Sequence, residues 1–116
     1  MLFLMRGKIL SEQTNKALKD INQKIIKTGE ELPEVILKDG SKVQTGTVAT
    51  MLYNIDLYNK LPSDSAEREK IQYELVQAVP TLIKVGLFAL FSPEEWISGN
   101  NAGRRVVGIE AKKLLS

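Results

Sequence analysis

The chain has 116 residues, of which 43% are hydrophobic and 26% charged, carries a formal net charge of +2, and contains neither histidine nor cysteine. This length and composition predict one ordinary globular domain over residues 1–116, with a core that needs no disulfide or metal. The missing imidazole and thiol groups exclude a Ser-His-Asp triad, a Cys-His pair, a disulfide framework and metal sites built on histidine or cysteine.

The N-terminal part of the chain predicts a first amphipathic helix. Ser11 has the residue type of an N-cap, and Gly29 stands where a helix commonly ends. The apolar stripe between them recurs at helical spacing and consists of Leu18, Ile21 and Ile25. The preceding run MLFLM lacks the basic start and the length of a signal peptide. It fits a frayed end, a strand or a leader taken up into the fold.

The next segment predicts a β-hairpin. Asp39-Gly40 lies between two short runs rich in strand-forming residues, and this dipeptide favours a two-residue type I′ turn. Counting outward from that turn pairs Ile36 with Val43 on one face of the ribbon. Because an isolated hairpin is only marginally stable, helices, an N-terminal strand over residues 2–5 or a second subunit should cover it.

Two longer helices should follow the hairpin. Thr47 is the expected N-cap of the first, and either Ser63 or Asp64 should cap the second. Pro80 lies inside the apolar stripe of the second, which must kink there or end and restart. Residues 82–91 are apolar nearly all round and predict the central core helix. The apolar region is too short and too interrupted to cross a membrane, so we expect no membrane partner.

Residues 92–108, SPEEWISGNNAGRRVVG, concentrate unusual residue types. Ser92 followed by Pro93 and Glu95 forms a compact helix start with a capping box. The apolar pattern that follows is ambiguous. We expect a final helix from about Glu110, with a strand over residues 105–109 as an option.

These elements predict an α+β fold that is mainly α. It should contain four or five helices, with one β-hairpin between helix 1 and helix 2. The side chains expected in its core are Ile21, Ile25, Ile36, Val48, Leu52, Ile55, Leu75, Val79, Leu82, Leu87 and Phe91.

The candidate binding residues are Trp96, Asn100, Asn101, Arg104 and Arg105. The guanidinium group of arginine can donate two parallel hydrogen bonds to a carboxylate or phosphate group, and an indole ring offers a face for stacking. This set could therefore bind a small anion or the carboxylates of a partner protein. A structural interpretation stands beside this one. Asparagine and glycine also terminate helices and fill turns, and arginines pair with nearby glutamates.

Several strings of the chain, namely GTVATMLYNI, KVGLF, EEW and GNNAGRR, resemble those of small bacterial single-domain proteins without an assigned function. These are compact proteins carried on mobile gene cassettes, and the resemblance covers most of the chain from Leu32 onward. It implies a cytoplasmic bacterial protein of unknown role and transfers no catalytic residue.

The functional expectation is a non-enzymatic module that associates with itself or with another protein. The alternative is a small-ligand or anion-binding protein, with or without enzymatic activity, that uses residues 96–105. A weaker alternative is an accessory nucleic-acid factor acting through the basic C-terminal part, but 16 basic against 14 acidic residues make nucleic acid an unlikely partner. We predict no catalytic residue, no metal site and no cofactor.

Overall fold

Helices dominate the chain, and a computed structural model describes residues 16–27, 29–30 and 34–116. The predicted N-cap Ser11 and the optional strand over residues 2–5 lie outside these residues. In chain order the elements are helix α1 over residues 16–22, a 3-10 turn over Gln23–Ile25, strands β1 (Glu34–Ile36) and β2 (Lys42–Gln44), and helices α2 (Thr47–Lys60), α3 (Ala66–Lys84), α4 (Leu87–Leu90), α5 (Pro93–Ile97) and α6 (Ala102–Leu115).

The mainly α fold with one hairpin between the first two helices is confirmed, but the helix number is wrong. The described part of the chain contains six α-helices rather than four or five. The expected central helix over residues 82–91 is divided, because α3 ends at Lys84 and α4 begins at Leu87. Gly86 between them has a φ of 87°, a left-handed conformation that interrupts a right-handed helix. Pro80, in contrast, lies on an exposed face inside α3 and does not end it.

The core lies where α2, α3 and α6 pack against one another, with α5 against α6. Among the predicted core residues, the buried ones are Ile55, Leu75, Val79 and Leu82, and the partly buried ones are Ile21, Ile25 and Leu87. The prediction was wrong for four residues that are at least 44% exposed, namely Ile36, Val48, Leu52 and Phe91. Val48 and Leu52 lie at one edge of the apolar stripe of α2, whose members Met51 and Ile55 are buried. Within the described residues, this edge of the stripe is left largely uncovered.

The hairpin exists, but its predicted register is wrong. Val35 rather than Ile36 pairs with Val43, and Ile36 pairs with Lys42. The Leu37 N–H donates to the Ser41 carbonyl at 2.8 Å, which leaves a three-residue loop. The reason is the turn type. Only Gly40 has a positive φ, 87°, whereas a type I′ turn requires two such residues.

The N-cap of α2 is Gly46 rather than Thr47. Thr47 instead starts the helix with a buried hydroxyl, which donates to the Gln44 carbonyl at 3.1 Å and accepts from the Asn22 Nδ2 at 3.2 Å. The α3 cap also differs, because Ser65, rather than Ser63 or Asp64, accepts the Arg68 N–H. Each difference shifts a helix start by one or two residues, which is the usual uncertainty of a helix boundary.

Helix α6 begins at Ala102, eight residues before the predicted start near Glu110, and it replaces the optional strand. Its buried face consists of small residues that let other helices approach closely. A Cβ on Gly103 would lie 3.0 Å from the Ile55 carbonyl oxygen, and one on Gly108 would lie 2.7 Å from the Trp96 Cβ. The glycines therefore serve contacts between helices. Within the described residues, no helix is long and apolar enough to span a membrane.

Candidate functional site

Trp96 lies on α5, and its side chain belongs to the core. Ser92, Pro93 and Glu95 form the predicted capping box at the start of α5, with the Ser92 N–H donating to the Glu95 Oε2 at 2.7 Å. Trp96 follows one residue later and is 8% exposed. Its ring lies 5.7 Å from that of Phe88 at an angle of 59°. One face of the site is thus a fixed aromatic surface.

Asn101 is a structural residue. Its Oδ1 accepts the Arg104 N–H at 2.9 Å, which caps α6, and also accepts from the Asn59 Nδ2 at 2.9 Å. The Asn59 Oδ1 in turn accepts the Gly103 N–H at 2.8 Å. Two asparagine amides therefore satisfy free N–H groups at the start of α6 and join it to the end of α2.

Replacing Asn101 with alanine should lower the free energy of unfolding by about 1–2 kcal/mol, because both the cap and the link to Asn59 are lost. Asn100→Ala is the matched control. Asn100 is exposed, and its replacement should change stability by less than about 0.5 kcal/mol. Urea unfolding of both variants checks the difference, and equal stability would contradict the capping role.

Arg104 points over the tryptophan. Its guanidinium carbon lies 5.1 Å from the centre of the Trp96 ring, a cation–π distance. Within the described residues, the guanidinium makes no ion pair. Arg104 also lies in the first turn of α6, which contains no acidic residue. A cation there opposes the helix dipole at a cost of about 0.3–1 kcal/mol, so the local position of Arg104 is unfavourable.

Arg104 and Trp96 line one end of a cavity of about 330 Å³. The remaining lining is Val48, Met51, Leu52, Ile55, Leu87, Phe91 and Asn101. The cavity is therefore apolar, with a guanidinium and an amide as its polar groups. Of the five predicted site residues, the structure brings together Trp96, Asn101 and Arg104. Asn100 and Arg105 are exposed and do not line it.

A larger cavity of about 610 Å³ lies beside the first, between the hairpin, α2 and the end of α3. Val48 and Leu52 line both cavities. Together the two cavities form a surface that we call the apolar face, whose exposed members, between 44% and 58% exposed, are Val35, Val48, Leu52, Val85 and Phe91. Ile36, 67% exposed, lines neither cavity, because successive side chains of a strand point to opposite sides. Sequence reasoning missed this face because it assigned three of its residues to the core.

The sequence also did not predict a buried polar cluster that consists of Lys24, Asn54 and Glu74. The Lys24 ammonium group donates to the Glu74 carboxylate, and it donates to the Asn54 Oδ1 at 2.7 Å. The Asn54 Nδ2 donates to Glu74 at 3.1 Å, which closes the triangle. Fifty positions separate Lys24 from Glu74, so no local pattern connects them. The cluster joins the 3-10 turn, α2 and α3 through three side-chain hydrogen bonds.

Two groups in the described part of the chain have shifted pKa values, Asp39 and Lys60, and both lie outside the two cavities. The Ser41 hydroxyl and N–H donate to the Asp39 carboxylate in the hairpin loop, at 2.6 and 2.9 Å, and hold its pKa below the ordinary value. The Asp56 carboxylate accepts from Lys60 at 2.8 Å and raises the pKa of that ammonium group. Both pairs are exposed, so they mark no buried acid or base for catalysis.

Comparison with known proteins identifies a family but no activity. A family model described as a domain of unknown function, DUF7709, matches residues 16–115. No curated protein and no solved structure matches the chain.

Proposed function

Because the chain belongs to the DUF7709 family, which carries no assigned activity, we propose its function from geometry: a non-enzymatic interaction module that forms a homodimer through the apolar face. The observation that carries this proposal is the exposure of five large apolar side chains around two adjoining cavities, together with that of Ile36 on the adjacent strand β1. Single exposed apolar residues are common on proteins, whereas a contiguous group of them is typical of an interaction surface.

The hairpin supports association through β1. Its strands have three residues each, and within the described residues β1 pairs only with β2. All three residues of β1 are exposed. Two short strands are marginally stable alone, and a further strand would bury Val35 and Ile36 while using the second edge of β1.

The sequence of this segment favours a second copy as the partner. Residues 34–38 read EVILK, three apolar residues between an acid and a base. In an antiparallel pairing with a second copy about a two-fold axis at Ile36, extended from β1 through Leu37 to the first loop residue Lys38, Glu34 of each copy lies opposite Lys38 of the other. Opposite charges across two strands contribute about 0.2–1 kcal/mol per pair, and a two-fold axis supplies two pairs.

Light scattering coupled to size-exclusion chromatography tests the proposal. At high micromolar concentration the protein should elute at twice its 12.9 kDa monomer mass. Ile36→Glu should give a monomer, because it places two carboxylates together at the axis. Leu115→Glu is the matched control: Leu115 is 53% exposed but lies outside the apolar face, and its variant should remain dimeric.

Charge reversal separates specific self-pairing from nonspecific adhesion. Lys38→Glu alone should weaken association by roughly tenfold, because it opposes like charges at both ends of the strand pair. Combining it with Glu34→Lys should restore the dimer, and the two single variants should associate when mixed. A monomeric wild type, or a double variant no better than Lys38→Glu, would overturn the proposal.

The setting that we propose with this function is the bacterial cytoplasm. The resemblance to gene-cassette proteins suggests a bacterial origin, and a chain without cysteine is compatible with a reducing compartment.

A further inference from the structure

We propose that the smaller cavity binds a small organic carboxylate with an apolar tail. The carboxylate would pair with Arg104, and the tail would occupy the apolar part of the cavity, between α2 and Phe91. This site lies within one chain, but Val48, Leu52 and Phe91 of its lining also belong to the apolar face. Binding is therefore tested on the monomeric Ile36→Glu variant as well as on the wild type.

The charge of the ligand follows from Arg104. This guanidinium lines the cavity and stacks on Trp96, and within the described part of the chain it has no acidic partner. It also lies in the first turn of α6, where an anion would be stabilised by the helix dipole and a cation is not. A bound carboxylate would pair with the guanidinium and offset the unfavourable position of a cation in the first turn of α6, whose Gly103 and Arg104 N–H groups are already satisfied by Asn59 and Asn101.

The residues that line the smaller cavity indicate that the ligand has an apolar tail. Apart from Asn101 and Arg104, every residue around the cavity is apolar or aromatic. The Asn101 Oδ1 already accepts two hydrogen bonds, so its Nδ2 remains to donate to a ligand. A volume of about 330 Å³ is at the lower end of the range for small-molecule sites. A single guanidinium suits one carboxylate better than a polyphosphate, for which several cations would be expected.

Decanoate is the probe, and decanol, with the same chain but no charge, is the matched ligand. Trp96 is the only tryptophan, so a change in its fluorescence reports binding, and calorimetry gives the affinity. We expect decanoate to bind at least tenfold more tightly than decanol. Inorganic phosphate should not compete with decanoate. If phosphate displaced it fully, the site would be a simple anion site and the apolar part of the proposal would be overturned.

Two arginine variants complete the test. Arg104→Gln should weaken decanoate binding by roughly tenfold to a hundredfold, the usual effect of losing a charge-assisted hydrogen bond, and should leave decanol binding unchanged. Arg105→Gln, at the exposed neighbouring position, should bind decanoate as the wild type does.

Circular dichroism checks that both variants fold, and Arg104→Lys, which keeps the charge, should retain part of the affinity. An equal effect of Arg104→Gln on both ligands, or no effect on either, would overturn the proposal. The monomeric Ile36→Glu variant should still bind decanoate. Failure of the ligand test therefore leaves the dimer proposal standing, and failure of the dimer test leaves the ligand proposal standing.

Discussion

Replacing Lys24 with methionine should lower the free energy of unfolding by about 3 kcal/mol, the largest effect that we expect from one polar substitution. Glu74 is 7% exposed, and among the described residues only the Asn54 Nδ2 would still donate to its carboxylate. A buried charge that loses its partner costs about 3–5 kcal/mol. We take the lower end because the Lys24 side chain is 23% exposed, so water reaches part of the pair.

Chemical denaturation of a double-mutant cycle measures this coupling. Lys24→Met with Glu74→Leu should be more stable than Lys24→Met alone, because no unpaired buried charge remains. The exposed pair of Lys60 and Asp56 supplies the control, since both side chains are more than 65% exposed, and Lys60→Met should have little effect. If the two lysine variants lost the same stability, the buried cluster would have no special role.

Replacing Gly108 with valine should destabilise the protein by about 3 kcal/mol or more. Even the first added carbon would lie 2.7 Å from the Trp96 Cβ and 2.9 Å from the Pro93 carbonyl oxygen. Both atoms belong to α5, whose first residue is Pro93, so α5 must move away from α6 to admit the new side chain. Overpacking of this kind costs about 1–3 kcal/mol, and a branched side chain adds further contacts of the same type.

Gly108→Ala gives a sharper version of the test, because two effects oppose each other. Alanine favours a helix over glycine by about 1 kcal/mol, yet we expect a net loss of stability, since the steric contact involves backbone and Cβ atoms that cannot rotate away. Gly99→Ala is the control, with nothing within 4 Å of the added carbon. Thermal unfolding followed by Trp96 fluorescence reports both changes, and a stabilised Gly108→Ala would show that α5 and α6 pack less closely.

Local chemistry in the sequence predicted local structure well. The capping box from Ser92 to Glu95 and the place of the hairpin were predicted because each depends on a few adjacent residues. The hairpin register was predicted wrongly, because the same Asp39-Gly40 pair fits two loop lengths. The start of α6 was placed eight residues too late for a similar reason. Glycine can end a helix or allow a neighbour to approach, and only the position of Trp96 beside Gly108 decides between these roles.

The candidate site could be predicted only in part. Trp96, Asn101 and Arg104 lie close together in the chain, so their residue types drew attention to the correct segment. Val48 and Leu52 complete the cavity from α2, more than forty positions earlier, and sequence reasoning placed them in the core because their spacing is that of an apolar helical face. Periodicity identifies such a face but does not say whether protein, solvent or a ligand covers it.

The position of Val48 and Leu52 between the two cavities gives α2 a second role. These side chains line both spaces, which measure about 330 and 610 Å³. Leu52 is 58% exposed. For the ligand that we propose at Arg104, the length of the Leu52 side chain would limit how far the tail extends, and a small residue at this position would join the two spaces into one longer groove. Leu52 would thus set the length of the ligand, whereas Arg104 would select its charge.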